Sequence, residues 1–268
     1  MYCLKKIIPA VFIFLIISCE SQSNQKVNSE DTQKDINLQQ KSYNVTVLRK
    51  FPHDSLSFIQ GLTYYKGFLY ETSGQQGQSS ILKVDVKTGK VLQTHRISSK
   101  YFGEGSTIFK DKLYYFTWKD QVGWTFDLQT FKQTSIFCYD SEGWGITNNG
   151  ENIIISDGTN LLRYKDENNF NTLKTKEVFY KGEAFNFLNE LEYAKGDIYA
   201  NIWGKDLIAV IDEESGEIKA LINLAFLRNE LDGSTLAEVL NGVAYIPESD
   251  TFIITGKNWP YYFEIKID

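Results

Sequence analysis

The chain has 268 residues, of which 42% are hydrophobic and 15% aromatic, enough for a substantial core within one domain. Its formal net charge of -6 disfavours nucleic acid as a partner. The only two histidines, His53 and His95, are too few and too poorly placed for a zinc site. Heavy use of aromatic and β-branched residues favours strands over helices.

Residues 1–18 are predicted to be a signal peptide. The basic start MYCLKK precedes an apolar run of eleven residues, which is too short to span a membrane comfortably. Ser18 then places a small residue just before Cys19, which resembles the cleavage site of bacterial lipoproteins. We predict a cell-envelope lipoprotein, periplasmic or on the outer surface, anchored by a lipid on Cys19. The alternative is an ordinary secretory signal followed by an accidental cysteine.

Residues 19–41 are predicted to be a disordered polar tether. The stretch ESQSNQKVNSEDTQKDINLQQ contains no aromatic residue and few apolar ones, so it cannot build a core of its own. The folded domain is therefore predicted to cover residues 42–268.

A strand-rich segment that opens on Gly or Glu occurs five times in this domain. Its copies begin at Gly61, Gly105, Gly145, Glu190 and Gly242, which are 44, 40, 45 and 52 residues apart. Repeats of this length built from strands are typical of propeller blades. We predict an all-β, five-bladed β-propeller of four-stranded antiparallel blades, with any site at the axis, where the first strands converge.

The last repeat is one strand short. After its start at Gly242 only three strands fit before the chain ends, whereas residues 43–50 form a strand without a blade. We predict that this N-terminal strand completes the last blade, which closes the ring and removes two exposed edges. The longest interval contains the insertion 223–240, in which Ser234 is predicted to cap a short helix over residues 235–240.

Polar and aromatic residues cluster beside the predicted inner strands, as in FIQG, FGEG, EGWG, LNELE and LNG. Polar groups that converge on an axis need partners, because burying an amide or carboxylate unpaired costs about 1–3 kcal/mol or more. From the residues alone, they form either a satisfied polar plug or a binding site.

These motifs, in this order, resemble the plant-type glutaminyl-peptide cyclotransferases, also called glutamine cyclotransferases. FIQGL, FGEG, TWK, EGWGIT, SDGTNLL, LNELE, YANIW, VLNGVAY and TGKNWP all match the family pattern, across residues 51–263. The resemblance implies a five-bladed propeller that converts the N-terminal Gln of peptides or proteins into pyroglutamate and releases ammonia, without a cofactor. Exported bacterial members are common, in agreement with the predicted signal peptide.

The resemblance also implies roles for nine residues. The acid/base carboxylate matches Glu104. The polar substrate-binding residues match Gln60, Asn189 and Lys257. The aromatic pocket matches Phe58, Phe102, Trp118, Trp144 and Trp203.

The reaction is chemically compatible with these residues. A neutral α-amine, with a pKa of about 7.7–8.0, attacks its own side-chain amide, so ring closure needs orientation more than a new nucleophile. Glu104 is predicted to carry the proton from the amine to the departing nitrogen, with its pKa raised by the aromatic wall. Lys257, Gln60 or Asn189 could hold the carbonyl oxygen as it becomes negative.

Two other functions are compatible with the sequence. One is a non-catalytic propeller that binds a peptide or glycan on its aromatic face. The other is a calcium-dependent propeller hydrolase or lactonase that uses Glu104, Asn189 and Asn241 as oxygen ligands, although the shortage of Asp in these motifs argues against it. Glu190 and Glu192 are predicted to make structural hydrogen bonds. No metal site is predicted, and a closed propeller gives no reason to expect more than a monomer.

Overall fold

The structure, a computed structural model, describes residues 43–268, whose strands form five four-stranded antiparallel sheets around an axis. The predicted signal peptide, the proposed anchor Cys19 and the tether 19–41 lie outside these residues. Within residues 43–268, no helix is long and apolar enough to cross a membrane.

Each four-stranded sheet is one blade, and the strand at the start of each repeat is its inner strand. Strand β1 is Val45–Pro52. Blade 1 contains β2 to β5: Ile59–Tyr65, Phe68–Ser73, Ser80–Asp85 and Val91–Arg96. Blade 2 contains β6 to β9: Gly103–Phe109, Lys112–Thr117, Val122–Asp127 and Gln133–Cys138. Blade 3 contains β10 to β13: Ile146–Asn148, Ile153–Ile155, Leu161–Lys165 and Thr172–Glu177.

A hairpin that the repeat pattern did not predict precedes blade 4. Its strands are β14 and β15: Phe179–Tyr180 and Glu183–Ala184. Blade 4 contains β16 to β19: Leu188–Ala194, Asp197–Ile202, Leu207–Asp212 and Ile218–Asn223. Blade 5 contains β20 to β22: Leu240–Ile246, Thr251–Gly256 and Tyr261–Ile267.

The N-terminal strand completes blade 5, as predicted. Strand β1 pairs antiparallel with β22, from Val45 opposite Ile267 to Pro52 opposite Tyr261. The side chain of Arg49 in β1 also pairs with Glu264 in β22. The ring is therefore closed by strands from the two ends of the domain, and β22 is not left as an open edge.

The core is divided among the five interfaces between blades. Five clusters of buried hydrophobic residues each draw on two neighbouring blades, including the interface of blade 5 with blade 1. At the axis the inner strands contact one another in a ring, β2 to β6 to β10 to β16 to β20 and back to β2. Gly145 shows how crowded this ring is, because a Cβ atom there would lie 2.0 Å from the carbonyl oxygen of Asn189.

A recurring turn joins the third and fourth strands of the blades. The carboxylate of Asp85 accepts hydrogen bonds from the backbone N–H and the hydroxyl of Thr88, and Gly89 follows with φ of +71°. Asp127 and Asp212 begin equivalent turns with Thr130 and Ser215. An aspartate that bonds to the backbone two or three residues later favours this local geometry.

Glu190 joins three blades at the axis. From β16 its carboxylate accepts one hydrogen bond from the backbone N–H of Leu62 in blade 1, at 3.1 Å, and another from Val243 in blade 5, at 2.9 Å. Glu192 likewise accepts from the backbone N–H of Tyr245, at 2.8 Å. Both carboxylates make the structural hydrogen bonds that the sequence analysis predicted.

A buried contact between a histidine and a carboxyl lies at the interface that closes the ring. His53 Nε2 lies 3.1 Å from the carboxylate of Glu71, and both side chains are almost completely buried. The hydroxyls of Ser57 and Tyr262 also donate to Glu71. Burial acts to raise the pKa of Glu71, but His53 and these two donors lower it overall. His53 is thus part of a structural contact between blades 1 and 5.

The predicted helix over residues 235–240 is wrong. The only helical turn in the insertion is a 3-10 helix, η1, at Ala225–Glu230. The backbone N–H of Glu238 donates to Lys257, and the N–H of Lys257 donates to Val239, at 2.8 and 2.9 Å. The end of the insertion is therefore extended, because its backbone pairs with the chain that follows β21.

Candidate active site

One end of the axis holds a cavity of about 350 Å³. Its lining comprises a carboxyl, a lysine, two amides and five aromatic rings: Glu104, Lys257, Gln60, Asn189, Phe58, Phe102, Trp118, Trp144 and Trp203. The structure thus brings together all nine residues selected from the sequence, although they are up to about 200 residues apart in the chain. Asn241, the third ligand of the calcium alternative, does not belong to this lining.

The propeller symmetry explains why these residues meet. Four of them occupy one position of the repeat, just before its first residue, because Gln60, Glu104, Trp144 and Asn189 precede the starts at 61, 105, 145 and 190. Equivalent residues of a propeller lie at similar depths around its axis. The fifth equivalent, Asn241, is fully buried and donates instead to the carbonyl oxygen of Ile59.

Glu104 is the buried carboxyl of the cavity. It lies on β6 with 6% of its surface exposed, and its Oε1 accepts a hydrogen bond of 3.0 Å from the Gln60 amide. Among the described residues, Gln60 is the only hydrogen-bond donor to this carboxyl, so Oε2 is available to a ligand. Burial raises the pKa of Glu104 well above its ordinary value, Lys257 opposes the rise and Glu142 adds to it.

Lys257 supplies the positive charge of the cavity. It is 5% exposed and follows β21, where its backbone pairs with Glu238 and Val239. Its Nζ lies 4.5 Å from the centre of the Phe58 ring, a cation–π contact. Burial lowers the pKa of Lys257, whereas the charges of Glu104 and Glu238 act to raise it. The negative charges of Glu104 and Glu238 therefore offset only part of the cost of burying the Lys257 ammonium in the cavity.

Asn189 contributes a side-chain amide to the same cavity. It lies on β16, is 3% exposed, and its backbone oxygen accepts a hydrogen bond of 2.7 Å from Ser156. Among the described residues its side-chain amide makes no hydrogen bond. Because this amide lines the cavity and has no protein partner there, it is suited to binding a polar ligand.

The aromatic rings form two continuous walls. On one side, Phe102 packs edge-on against Phe58 at 6.3 Å and against Trp118 at 5.6 Å, measured between ring centroids. On the other side, Trp144 packs edge-on against Trp203 at 6.2 Å. Such walls exclude water and leave a narrow apolar space beside the carboxyl.

Glu142 holds the indoles of both walls, and sequence reasoning missed this role. Its Oε2 accepts hydrogen bonds from the indole N–H of Trp118, at 2.8 Å, and of Trp144, at 3.0 Å. Lys119 lies 3.7 Å from the same carboxylate and 3.9 Å from the centre of the Trp118 ring. The motif EGWG contains Glu142, but only the fold shows that a tryptophan from another blade shares it.

The described residues contain no cluster of three or more His, Cys, Asp or Glu side chains that could hold a metal ion. The Nε2 atom of His53 contacts the buried carboxylate of Glu71. Trp259, which ends the motif TGKNW, is fully buried in the core, and its indole donates to the backbone oxygen of Glu238 at 3.0 Å.

The fold and the cavity define a five-bladed propeller enzyme with one buried carboxyl in an aromatic pocket. The family model for glutamine cyclotransferase matches residues 14–267. The glutaminyl-peptide cyclotransferase of Arabidopsis thaliana is 34% identical over 236 residues, which cover 87% of this chain and 74% of the relative. The crystal structure of Myxococcus xanthus glutaminyl cyclase matches with a TM-score of 0.79 and 28% identity, over 85% of this chain and 98% of that one.

The chain therefore belongs to the glutamine cyclotransferase family. The predicted fold and the family resemblance are confirmed, and with them the assignment to the glutaminyl cyclotransferases as a class of enzyme. The individual roles of the nine residues stay predictions.

Proposed function

We propose that the cavity converts an N-terminal glutamine of peptides or proteins into pyroglutamate, with Glu104 as the proton shuttle and without a metal ion. One observation carries the proposal. Glu104 is a buried carboxyl with a raised pKa that has one amide donor, Gln60, and opens into an aromatic cavity. A group of this kind can accept a proton from one atom and return it to another.

The first step forms the ring. The neutral α-amine nitrogen of the substrate bonds to the carbon of its own side-chain amide, which becomes tetrahedral, and the amide oxygen becomes negative. Glu104 takes the proton that the amine loses. The aromatic walls hold the side chain folded back on the amine, which supplies the orientation on which an intramolecular attack depends.

The second step releases ammonia. Glu104 returns its proton to the amide nitrogen, the bond between that nitrogen and the former amide carbon breaks, and the oxygen reforms a carbonyl in the five-membered lactam. One carboxyl thus acts first as base and then as acid, and ends in its starting form. General acid–base catalysis of this type typically contributes about 10²–10⁴-fold.

Lys257 and Asn189 are suited to stabilise the negative oxygen of the tetrahedral intermediate. The ammonium of Lys257 and the unpaired amide of Asn189 both line the cavity. Preorganised donors act strongly in a site from which water is excluded, and removal of one costs about 10²–10³-fold in other enzymes. Gln60 has a different role, because its amide already donates a hydrogen bond to the carboxyl of Glu104.

The metal-independent part of the proposal rests on the chemistry of the lining. The cavity presents one carboxyl, two amides and an ammonium, and neither imidazole nor thiol belongs to it. A buried ammonium beside the single carboxyl competes with a cation for that ligand.

The proposal is tested by ammonia release from a Gln-initiated peptide, with and without a chelator. We expect turnover that the chelator does not change, and none on the same peptide with an acetylated α-amine. Loss of turnover in the chelator would overturn the metal-independent mechanism. Absence of turnover on every Gln-initiated peptide would favour the peptide- or glycan-binding alternative, which the exposed face of Trp203 also suits.

We also propose that the protein is exported and tethered to the cell envelope through a lipid on Cys19, as a monomer. The support for the export and the anchor is the sequence of residues 1–41 alone, and the closed propeller gives no reason to expect more than a monomer. Radiolabelled palmitate should be incorporated into the wild-type protein and not into Cys19→Ser. A soluble, unlabelled wild-type protein would contradict the anchor.

A further inference from the structure

An exposed aromatic surface continues outward from the cavity. Trp203 is 52% exposed, whereas the other eight residues of the lining are buried or half-buried. Its ring lies 6.2 Å from Phe187, which is 53% exposed and outside the lining. With Trp144 on the inner side of Trp203, three rings thus run from the cavity to solvent.

The repeat relates Phe187 to two residues of the cavity. Phe58 and Phe102 lie three positions before the repeat starts at Gly61 and Gly105, and Phe187 lies three positions before Glu190. The backbone pairing is also equivalent, since the carbonyl oxygen of Phe102 accepts from Trp118 and that of Phe187 accepts from Trp203. Phe187 therefore occupies in blade 4 the repeat position that Phe58 and Phe102 occupy in blades 1 and 2. Unlike them it lies outside the lining, at the solvent-exposed mouth of the cavity.

The backbone of Phe187 has an unfavourable conformation. Its φ is +68°, in the left-handed region that a bulky side chain rarely adopts. Its N–H donates to Gly158 at 2.8 Å, and its oxygen accepts from Trp203 at 2.9 Å, so two neighbouring segments hold it there. This conformation presents the ring to solvent instead of burying it, and such outliers occur often at functional sites.

We propose that Phe187 and the exposed face of Trp203 bind the side chain of the residue that follows the N-terminal glutamine of the substrate. The inference rests on the proposed function, which places the glutamine and its amine inside the cavity. An extended residue spans about 3.3–3.6 Å, so the second side chain lies at the mouth when the first is bound. A surface of two aromatic rings favours an apolar or aromatic side chain there.

The experiment compares two dipeptide amides, Gln-Phe and Gln-Gly, by kcat/KM for ammonia release. We expect the wild type to prefer Gln-Phe by about 10-fold or more, within the range for one apolar group in a pocket. Phe187→Asn should lose most of that preference through a higher KM for Gln-Phe, with Gln-Gly within about twofold of wild type. Phe187→Tyr keeps the ring and should keep the preference.

Two controls separate binding from folding. Asn tolerates the left-handed region, so Phe187→Asn should melt at or above the temperature of the wild type. Leu173→Asn removes an apolar side chain that is 58% exposed on the outer strand β13, and it should leave the preference unchanged.

The outcomes distinguish the two proposals. An unchanged Gln-Phe preference in Phe187→Asn, or an equal loss on both substrates, would overturn the subsite. Equal turnover of both substrates by the wild type would also overturn it while leaving the proposed reaction intact. A wild type that releases no ammonia from either substrate would remove the reaction, and the subsite with it.

Discussion

Glu104 and Glu190 are both buried carboxyls on inner strands, and burial raises the pKa of each well above its ordinary value. They differ in their hydrogen-bond donors. Glu190 accepts from two backbone N–H groups, which belong to blades 1 and 5. Glu104 accepts from one side-chain amide, that of Gln60, and lines a cavity.

The difference shows that burial and a raised pKa do not by themselves mark a catalytic acid. A carboxylate with both oxygens bonded to the backbone holds blades together, and a ligand could approach it only by breaking those bonds. A carboxylate with a free oxygen at a cavity can exchange a proton with a substrate.

The largest effect is expected for Glu104→Gln. The variant keeps the size and an acceptor oxygen but cannot carry a proton, so kcat/KM should fall by about 10²–10⁴-fold. Its melting temperature should stay near that of the wild type, because a neutral amide replaces a desolvated carboxyl. Steady-state assays of ammonia release measure kcat/KM, and thermal melting measures the stability of the variant. An active Glu104→Gln protein would mean that another group moves the proton.

Lys257→Met should lower kcat by about 10²–10³-fold if the ammonium stabilises the negative oxygen. It should also change the pH profile. Lys257 lowers the pKa of Glu104, and the carboxylate form is needed as base, so removing the charge should move the acidic limb of kcat to higher pH. An unchanged rate would refute the role of Lys257 at the oxyanion.

Glu142→Gln is the counterpart of this variant. Glu142 raises the pKa of Glu104, so its replacement should move the acidic limb of kcat to lower pH. The shift should be small, because Glu142 is half-exposed and solvent screens its charge. If the acidic limb moves in the same direction in Lys257→Met and in Glu142→Gln, the assignment of this limb to Glu104 is wrong.

Glu190→Gln should affect stability rather than chemistry. Glutamine can accept from only one of the two backbone N–H groups, and its own NH₂ faces the other. Leaving one buried N–H unpaired should lower the free energy of unfolding by about 1–3 kcal/mol, measured by urea denaturation. Activity at a temperature where the variant is folded should be close to wild type. Loss of activity at unchanged stability would erase the distinction between the two carboxyls.

The smallest effect on activity is expected for Glu192→Gln, which keeps an acceptor for Tyr245 and changes only the stability of the fold. Burial raises the pKa of Glu192 from 4.5 to about 8, so the folded state binds a proton more tightly than the unfolded state does. This contribution is present below pH 4.5 and is lost as the pH rises towards 8. Glu192→Gln should therefore melt like the wild type at pH 4 and at a higher temperature at pH 9. A lower melting temperature at pH 9 would contradict the assignment.

Much of the molecule follows from its repeat. The five starts, the three-stranded last copy and the unpartnered strand near residue 43 were enough to predict the blades and their closure. All nine residues of the cavity were selected from the family resemblance, and the repeat places four of them at one position.

The features that escaped prediction depend on contacts between distant segments. The insertion has helical spacing near residue 235, but pairing with Lys257 keeps it extended. Glu142 lies in a recognised motif, and its role depends on Trp118 from another blade. Phe187 shares a repeat position with Phe58 and Phe102, so the alignment of the repeats contained a signal for it. Its exposure follows from the fold alone.

The pairing of β1 with β22 has a consequence for biosynthesis. Strand β1 leaves the ribosome first and its partner last, with more than 200 residues made between them. The ring of blades cannot close until β22 has emerged from the ribosome, so blade 5 stays incomplete throughout synthesis. Contacts this distant in sequence also slow folding.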